Sequence, residues 1–135
     1  MYDKMAFNWD KFYDVGLCMQ RISQKEEYQR SATGRFYYAA FGLVKEYYEE
    51  KYKKQVPSLD AHSFLINELE KSYGDEKRLG ENLRKMRKYR NFADYNKIFY
   101  LFNAKKSEKI YNNIVQLLEN LNKKNVNKLI TQTYE

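Results

Sequence analysis

One proline and five glycines punctuate the whole chain, and nowhere do apolar and polar residues alternate between turn signals. Strands declare themselves by period-two alternation bounded by clusters of turn-forming residues, and neither mark is present. The sequence therefore reads as an all-α domain. Short connections between successive helices make antiparallel neighbours, and so an up-and-down bundle of four to five helices, the economical arrangement.

Apolar periodicity places the helices. The first is expected from about Asn8 to Gln24, with Trp9, Phe12, Tyr13 and Leu17 turned inward and Cys18 beside them as a small buried hydrophobe. A second, the longest, runs from about Glu26 to Lys54 on the seam Tyr28, Ala32, Phe36, Ala39, Ala40, Leu43 and Tyr47, until Pro57 stops it. Its small residues Ala39, Ala40 and Gly42 admit a close neighbour. Ser58 is the expected N-cap of a third helix that ends before Gly74, with Phe64, Leu65, Leu69 and Tyr73 on its seam. After a turn at Gly74-Asp75, a fourth helix carries Leu79, Leu83, Met86, Arg90 and Ala93 at steps of four, three, four and three, at least to Asn91. The run IFYLF (Ile98 to Phe102) fits an extension of that helix, a docked loop or the cover of a dimer interface. A fifth helix from about Ser107 to Asn122 presents Ile110, Ile114, Leu117, Leu118 and Leu121 on one face. Residues 1–122 thus form one domain, and 123–135 a tail that is frayed or ordered by a partner.

The 135 residues suffice for a core that removes roughly two-thirds of the unfolded surface from water. No staple is needed: Cys18 has no partner cysteine, and one cysteine with one histidine cannot complete a four-ligand zinc site. No phosphate-cradling glycine loop, dinucleotide fingerprint or H-E-x-x-H motif occurs, so no cofactor or metal is expected. Ser31-Ala32-Thr33-Gly34 lies inside a helix and reads as packing. The opening residues lack the basic and apolar regions of a secretory leader, and no apolar run approaches the ~20 residues of a membrane span. The expected setting is the cytoplasm, with no membrane partner.

Twenty-five basic against eighteen acidic residues leave a formal charge of +7 and a pI near 9.3. An anionic partner such as RNA, DNA or an acidic protein fits that balance. Fourteen tyrosines suit base stacking and interfaces as well as core edges. Solvated basic helix faces and AT-rich coding bias would produce the same excesses without function.

Arg90 stands where packing would select leucine. A guanidinium there needs a carboxylate, a wet cleft or a helix end from which to snorkel; Asp94, one turn on, is the nearest partner. Arg35 raises the same question on the line Tyr28, Ala32, Arg35, Ala39. Two seam arginines on neighbouring helices suggest a polar cleft or subunit interface, or else an ion-pair network that only orients helices. His62, the only histidine, has the one side chain whose ordinary pKa suits proton transfer near neutrality.

Two segments, RSATGRFYYAAF (residues 30–41) and LRKMRKYRNFADY (residues 83–95), resemble the HEPN superfamily, in particular the branch with R-x-Y-Y-A-A-F on its second helix and R-N-x-A-D-Y on its fourth. The similarity extends from about Trp9 to Leu121. It implies a bundle of four or five helices that dimerises through the motif-bearing helix, and, in many members, metal-independent RNA cleavage in toxin–antitoxin or phage-defence systems, often beside a nucleotidyltransferase antitoxin. The family hallmark is an arginine, a polar residue after it, and a histidine a few positions on. Arg90 and Asn91 match the first two, while Tyr95 occupies the histidine place. Free phenols titrate near ~10 and make poor bases at neutrality, though they can donate a proton or hydrogen bond.

Three readings follow. One is an RNA-cleaving protein using Arg90, Asn91, Tyr95 and Asp94, with Arg35, Lys85, Arg87, Lys88 and His62 as RNA contacts. Another is a catalytically degenerate module that binds RNA or a nucleotide. The third is a partner-binding subunit that works through IFYLF.

Overall fold

In the computed structural model, which describes residues 7–134 and their side chains through residue 124, the uninterrupted stretches become five helices: α1 (Asp10–Ile22), α2 (Glu26–Tyr52), α3 (Ala61–Glu70), α4 (Gly74–Tyr95) and α5 (Phe102–Tyr134). No strand occurs among the described residues, and no helix there is long and apolar enough to cross a membrane. The molecule is an all-α bundle built around α2, which packs against each of the other four helices.

Named contacts give the directions. Trp9 meets Gly42, Gly16 meets Phe36, and Gln20 meets Gln29, so α1 and α2 are antiparallel. Arg30 near the start of α2 reaches the end of α4, whereas Tyr47 near the end of α2 reaches Glu76 at the start of α4. Those two helices are antiparallel as well. Residues 53–60 carry the chain back along α2 before α3 begins, which puts His62 beside Tyr37 and Phe64 beside Tyr48. The helix α3 therefore runs in the same sense as α2 and antiparallel to α4.

Phe36, Tyr37, Val44, Leu65, Ile66, Leu69, Leu79, Leu83, Met86 and Ile114 fill the core, each essentially inaccessible to water. The small residues of α2 act as their composition suggests. The Trp9 indole occupies the space that a side chain at Gly42 would need, and the Phe36 ring does the same at Gly16.

A second, polar anchor was not legible in the sequence. Glu76 is buried in the first turn of α4 and accepts hydrogen bonds from Tyr47 (2.7 Å), Tyr52 (2.6 Å), Ser72 (2.7 Å) and Lys51 (2.9 Å). Burial alone would raise its pKa. The donors from Tyr52, Lys51, Tyr47 and Ser72 together outweigh burial and bring it down to about 2.

Several expected placements change. Cys18 is exposed, because α1 lies on the outside of the bundle and one position off its apolar stripe already faces solvent. Tyr28 and Arg35 are exposed too. The rest of the expected α2 seam holds, with Ala32, Phe36, Ala39, Ala40 and Tyr47 buried, and Gln29 is buried in place of Tyr28 because its amide donates to the carbonyls of Gln20 (2.9 Å) and Ser23 (2.8 Å) where α1 ends. Asp60, not Ser58, precedes α3; its left-handed backbone (φ 57°) turns the chain. Tyr73 lies beyond α3, in the extended residue before α4, and points to solvent. The helix α5 starts at Phe102, earlier than Ser107, and continues into the expected tail, whose side chains from residue 125 onward are outside the described residues.

Candidate functional site

The end of α4, the start of α3 and the first half of α2 meet at one end of the bundle. Arg90 lies on the edge of the core seam with its side chain 19% exposed, so it snorkels toward the surface. Its Nη2 donates to the Tyr38 hydroxyl at 2.7 Å and its Nη1 to Asn91 Oδ1 at 3.3 Å. Asp94 Oδ2 lies 2.9 Å from Nε, but that N–H is not aligned with it, so the carboxylate offsets charge without accepting a hydrogen bond. The guanidinium carbon also sits 5.3 Å from the Tyr38 ring centre and 5.8 Å from that of Tyr95. Of five donors on a guanidinium, two are engaged in hydrogen bonds here and the Nε–H is buried without a partner, which leaves one N–H on each Nη.

His62 belongs to the same cluster. Its ring stacks on Phe41 (4.2 Å between centres) and on Tyr37 (5.5 Å), and it lies edge-on to Tyr38, the ring that Arg90 covers. Nδ1 is 2.6 Å from the Tyr37 hydroxyl. Burial first, then the charges of Arg87 and Arg90, hold the histidine below its usual range, so it is neutral near pH 7. Burial pushes the Tyr37 phenol up, against the opposing pull of Arg87 and Arg90, and keeps it protonated. The 2.6 Å contact fits two tautomers: with Nδ1–H donating to the Tyr37 oxygen, Nε2 has the free lone pair that a general base requires, and with the Tyr37 O–H donating to Nδ1, Nε2 carries the proton. Arg87, whose Nη1 donates to Ser63 Oγ at 3.1 Å, supplies a second cation beside it.

Among the residues singled out by sequence, Arg90, Asn91, Asp94 and Tyr95 cluster with one another, and Arg87 and His62 join them. Tyr95 stands at the rim, 74% exposed. Lys85 and Lys88 are exposed on α4, the latter with Nζ 5.7 Å from the Phe92 ring centre. Arg35 stacks over Phe12 of α1 at 5.2 Å, away from this group.

Tyr37, Tyr38 and Arg30 were missed as site residues. Arg30 pairs with Glu26 (2.7 Å) and donates to the carbonyls of Phe92 (3.2 Å), Ala93 (2.7 Å) and Lys97 (3.1 Å). It thereby supplies donors to the open carbonyls at the end of α4. All three residues lie within RSATGRFYYAAF, but their roles depend on a partner some 25 to 67 positions away, as the Tyr37–His62 and Arg30–Lys97 pairs show.

Two surface hollows, one lined by Glu46 to Gln55 of the α2 terminus and one beside Glu76, lie at the opposite end of the bundle. The Arg90–His62 cluster is outside both. No protein-family model matches the chain, and searches of curated proteins and of solved structures return no match.

Proposed function

We propose that this protein is a cytoplasmic, HEPN-like endoribonuclease of a prokaryotic toxin–antitoxin or phage-defence system, acting as a homodimer through the α4 end of the bundle. The observation that carries the proposal is the gathering of Arg87, Arg90 and a neutral His62 around Tyr37 and Tyr38, since RNA cleavage by its own 2′-hydroxyl needs a base and a cation on the phosphate. Nε2 of His62 would take the 2′-hydroxyl proton as that oxygen attacks phosphorus. Arg90 and Arg87 would stabilise the charge gathering on the phosphoryl oxygens. The bond to the 5′-oxygen then breaks, and that oxygen takes a proton from the Tyr95 hydroxyl at the rim or from water. The products are a 2′,3′-cyclic phosphate and a 5′-hydroxyl.

A second reading, RNA binding without cleavage, draws on one feature: the place that the family hallmark gives to histidine holds the exposed phenol of Tyr95. A nucleotidyltransferase antitoxin is the partner that the resemblance suggests for either reading.

The experiment is RNA cleavage by the purified wild type, Arg90→Ala and His62→Ala, with the helical signal followed by circular dichroism. Both variants should retain the helical signal and lose at least about a hundredfold in rate, the scale of removing one transition-state charge contact or a proton-transfer group. Tyr95→Phe should slow cleavage if its hydroxyl is the acid. Binding without cleavage in the wild type supports the second reading, and unfolding of Arg90→Ala would make the arginine a structural strut.

A further inference from the structure

The connection between α4 and α5 presents aromatic side chains to water while being fastened at its base. In the irregular stretch 96–101 Phe99 alone is buried (8% exposure), beneath the Arg30 guanidinium (5.0 Å), whereas Ile98 (70%) and Tyr100 (60%) on either side of it face out. Phe102, the first residue of α5, is 52% exposed and stacks on Tyr100 with ring centres 5.5 Å apart and planes 23° from parallel. Lys106 Nζ lies 4.5 Å from the Phe102 ring centre. Arg30 holds the Lys97 carbonyl with those of Phe92 and Ala93, so this platform begins at the edge of the Arg90 cluster.

Charge identifies the occupant. Residues 84–109 contain nine lysines and arginines against two carboxylates, Asp94 and Glu108, an excess equal to the +7 of the entire chain. The segment that displays the open aromatic pair is therefore strongly basic, with Arg84 paired to Glu70 and Arg90 to Asp94 and the exposed Lys97, Lys105 and Lys106 beside the pair. Exposed aromatic faces interleaved with cations are the means by which proteins hold single-stranded nucleic acid, bases on the rings and phosphates on the lysines. Paired bases in a duplex have no free faces to offer.

We infer that Tyr100 and Phe102 form a base-stacking platform for single-stranded RNA, with Lys97, Lys105 and Lys106 as its phosphate contacts, which positions an unpaired strand beside Arg90 and His62. This rests on the RNA-directed reading above and specifies its substrate as single-stranded.

Fluorescence anisotropy with a labelled single-stranded oligoribonucleotide and with its duplex, at low and moderate salt, tests the inference. Wild-type protein should prefer the single strand and lose affinity steeply with salt. The double variant Tyr100→Ala/Phe102→Ala should bind the single strand about tenfold or more weakly with its helical signal intact, and Tyr100→Trp/Phe102→Tyr should restore binding. Unchanged binding by the alanine variant, or equal affinity for duplex, overturns the platform and leaves the RNA reading standing. Absence of RNA binding by the wild type overturns both. A dimer in light scattering that the alanine variant dissolves, or an acidic polypeptide that binds as tightly as RNA, assigns the face to a protein and overturns the platform.

Discussion

The Tyr37 hydroxyl lies 2.6 Å from Nδ1 of His62, joining the middle of the central helix to the start of α3 through the only histidine in the chain. The phenol stays protonated, and burial together with Arg87 and Arg90 keeps the imidazole neutral.

The histidine signal in nuclear magnetic resonance is unambiguous because one imidazole is present. It should titrate below the ordinary value of about 6.5. Arg87→Gln and Arg90→Gln should each raise the midpoint by removing a positive charge. Since the folded pKa is depressed, the native state binds fewer protons than the unfolded chain between the two values. Stability contributed by neutral His62 is thus full above about 6.5 and declines as pH falls toward the folded pKa. A midpoint at or above 6.5 would contradict the burial and charge argument.

Glu76 should control acid stability. Its folded pKa near 2 lies below the ordinary 4.5, so its contribution is present above the ordinary value and lost as pH falls from there toward 2. Glu76→Gln leaves Lys51 without its carboxylate and should lower stability at pH 7 by about 3 kcal/mol in urea unfolding. Its unfolding curve should also vary less between pH 5 and pH 3 than that of the wild type, a range in which the glutamine no longer titrates.

Trp9 is the sole tryptophan and covers Gly42. Gly42→Ala should displace the indole, shift its emission to the red and destabilise the fold by about 1–3 kcal/mol. Unaltered emission would show that the α1–α2 contact is looser than this packing.

Arg30→Gln removes the donors to the carbonyls of Phe92, Ala93 and Lys97. Hydrogen exchange of the amides in residues 96–101 should quicken severalfold while the α2 core amides keep their protection. Global loss of protection would make Arg30 a determinant of the whole bundle.

The helices were legible because their apolar seams repeat locally: Leu79, Leu83, Met86 and Ala93 all lie where the four-three spacing puts them, buried. Arg90–Asp94 was legible for the same reason, being one turn apart. On α2 the same spacing placed Ala32, Phe36, Ala39, Ala40 and Tyr47 in the core, and it failed at Tyr28 because the neighbouring Gln29 amide satisfies the end of α1 and is buried ahead of the larger phenol. His62 could not be attached to Arg90 from the sequence, since only the return of residues 53–60 along α2 makes them neighbours. Glu76 gave no local sign of its burial, because three of its four donors come from α2 and join Ser72 of the preceding loop on it only after folding.

The most direct test of the central claim is the pH–rate profile of RNA cleavage, with the new ends identified, for the purified protein with EDTA present. The expected outcome is 2′,3′-cyclic phosphate and 5′-hydroxyl ends, an acidic limb set by His62 with its midpoint below 6.5, and loss of both limb and activity in His62→Ala. Cleavage that is unchanged in His62→Ala, or that yields 5′-phosphate ends, would contradict it.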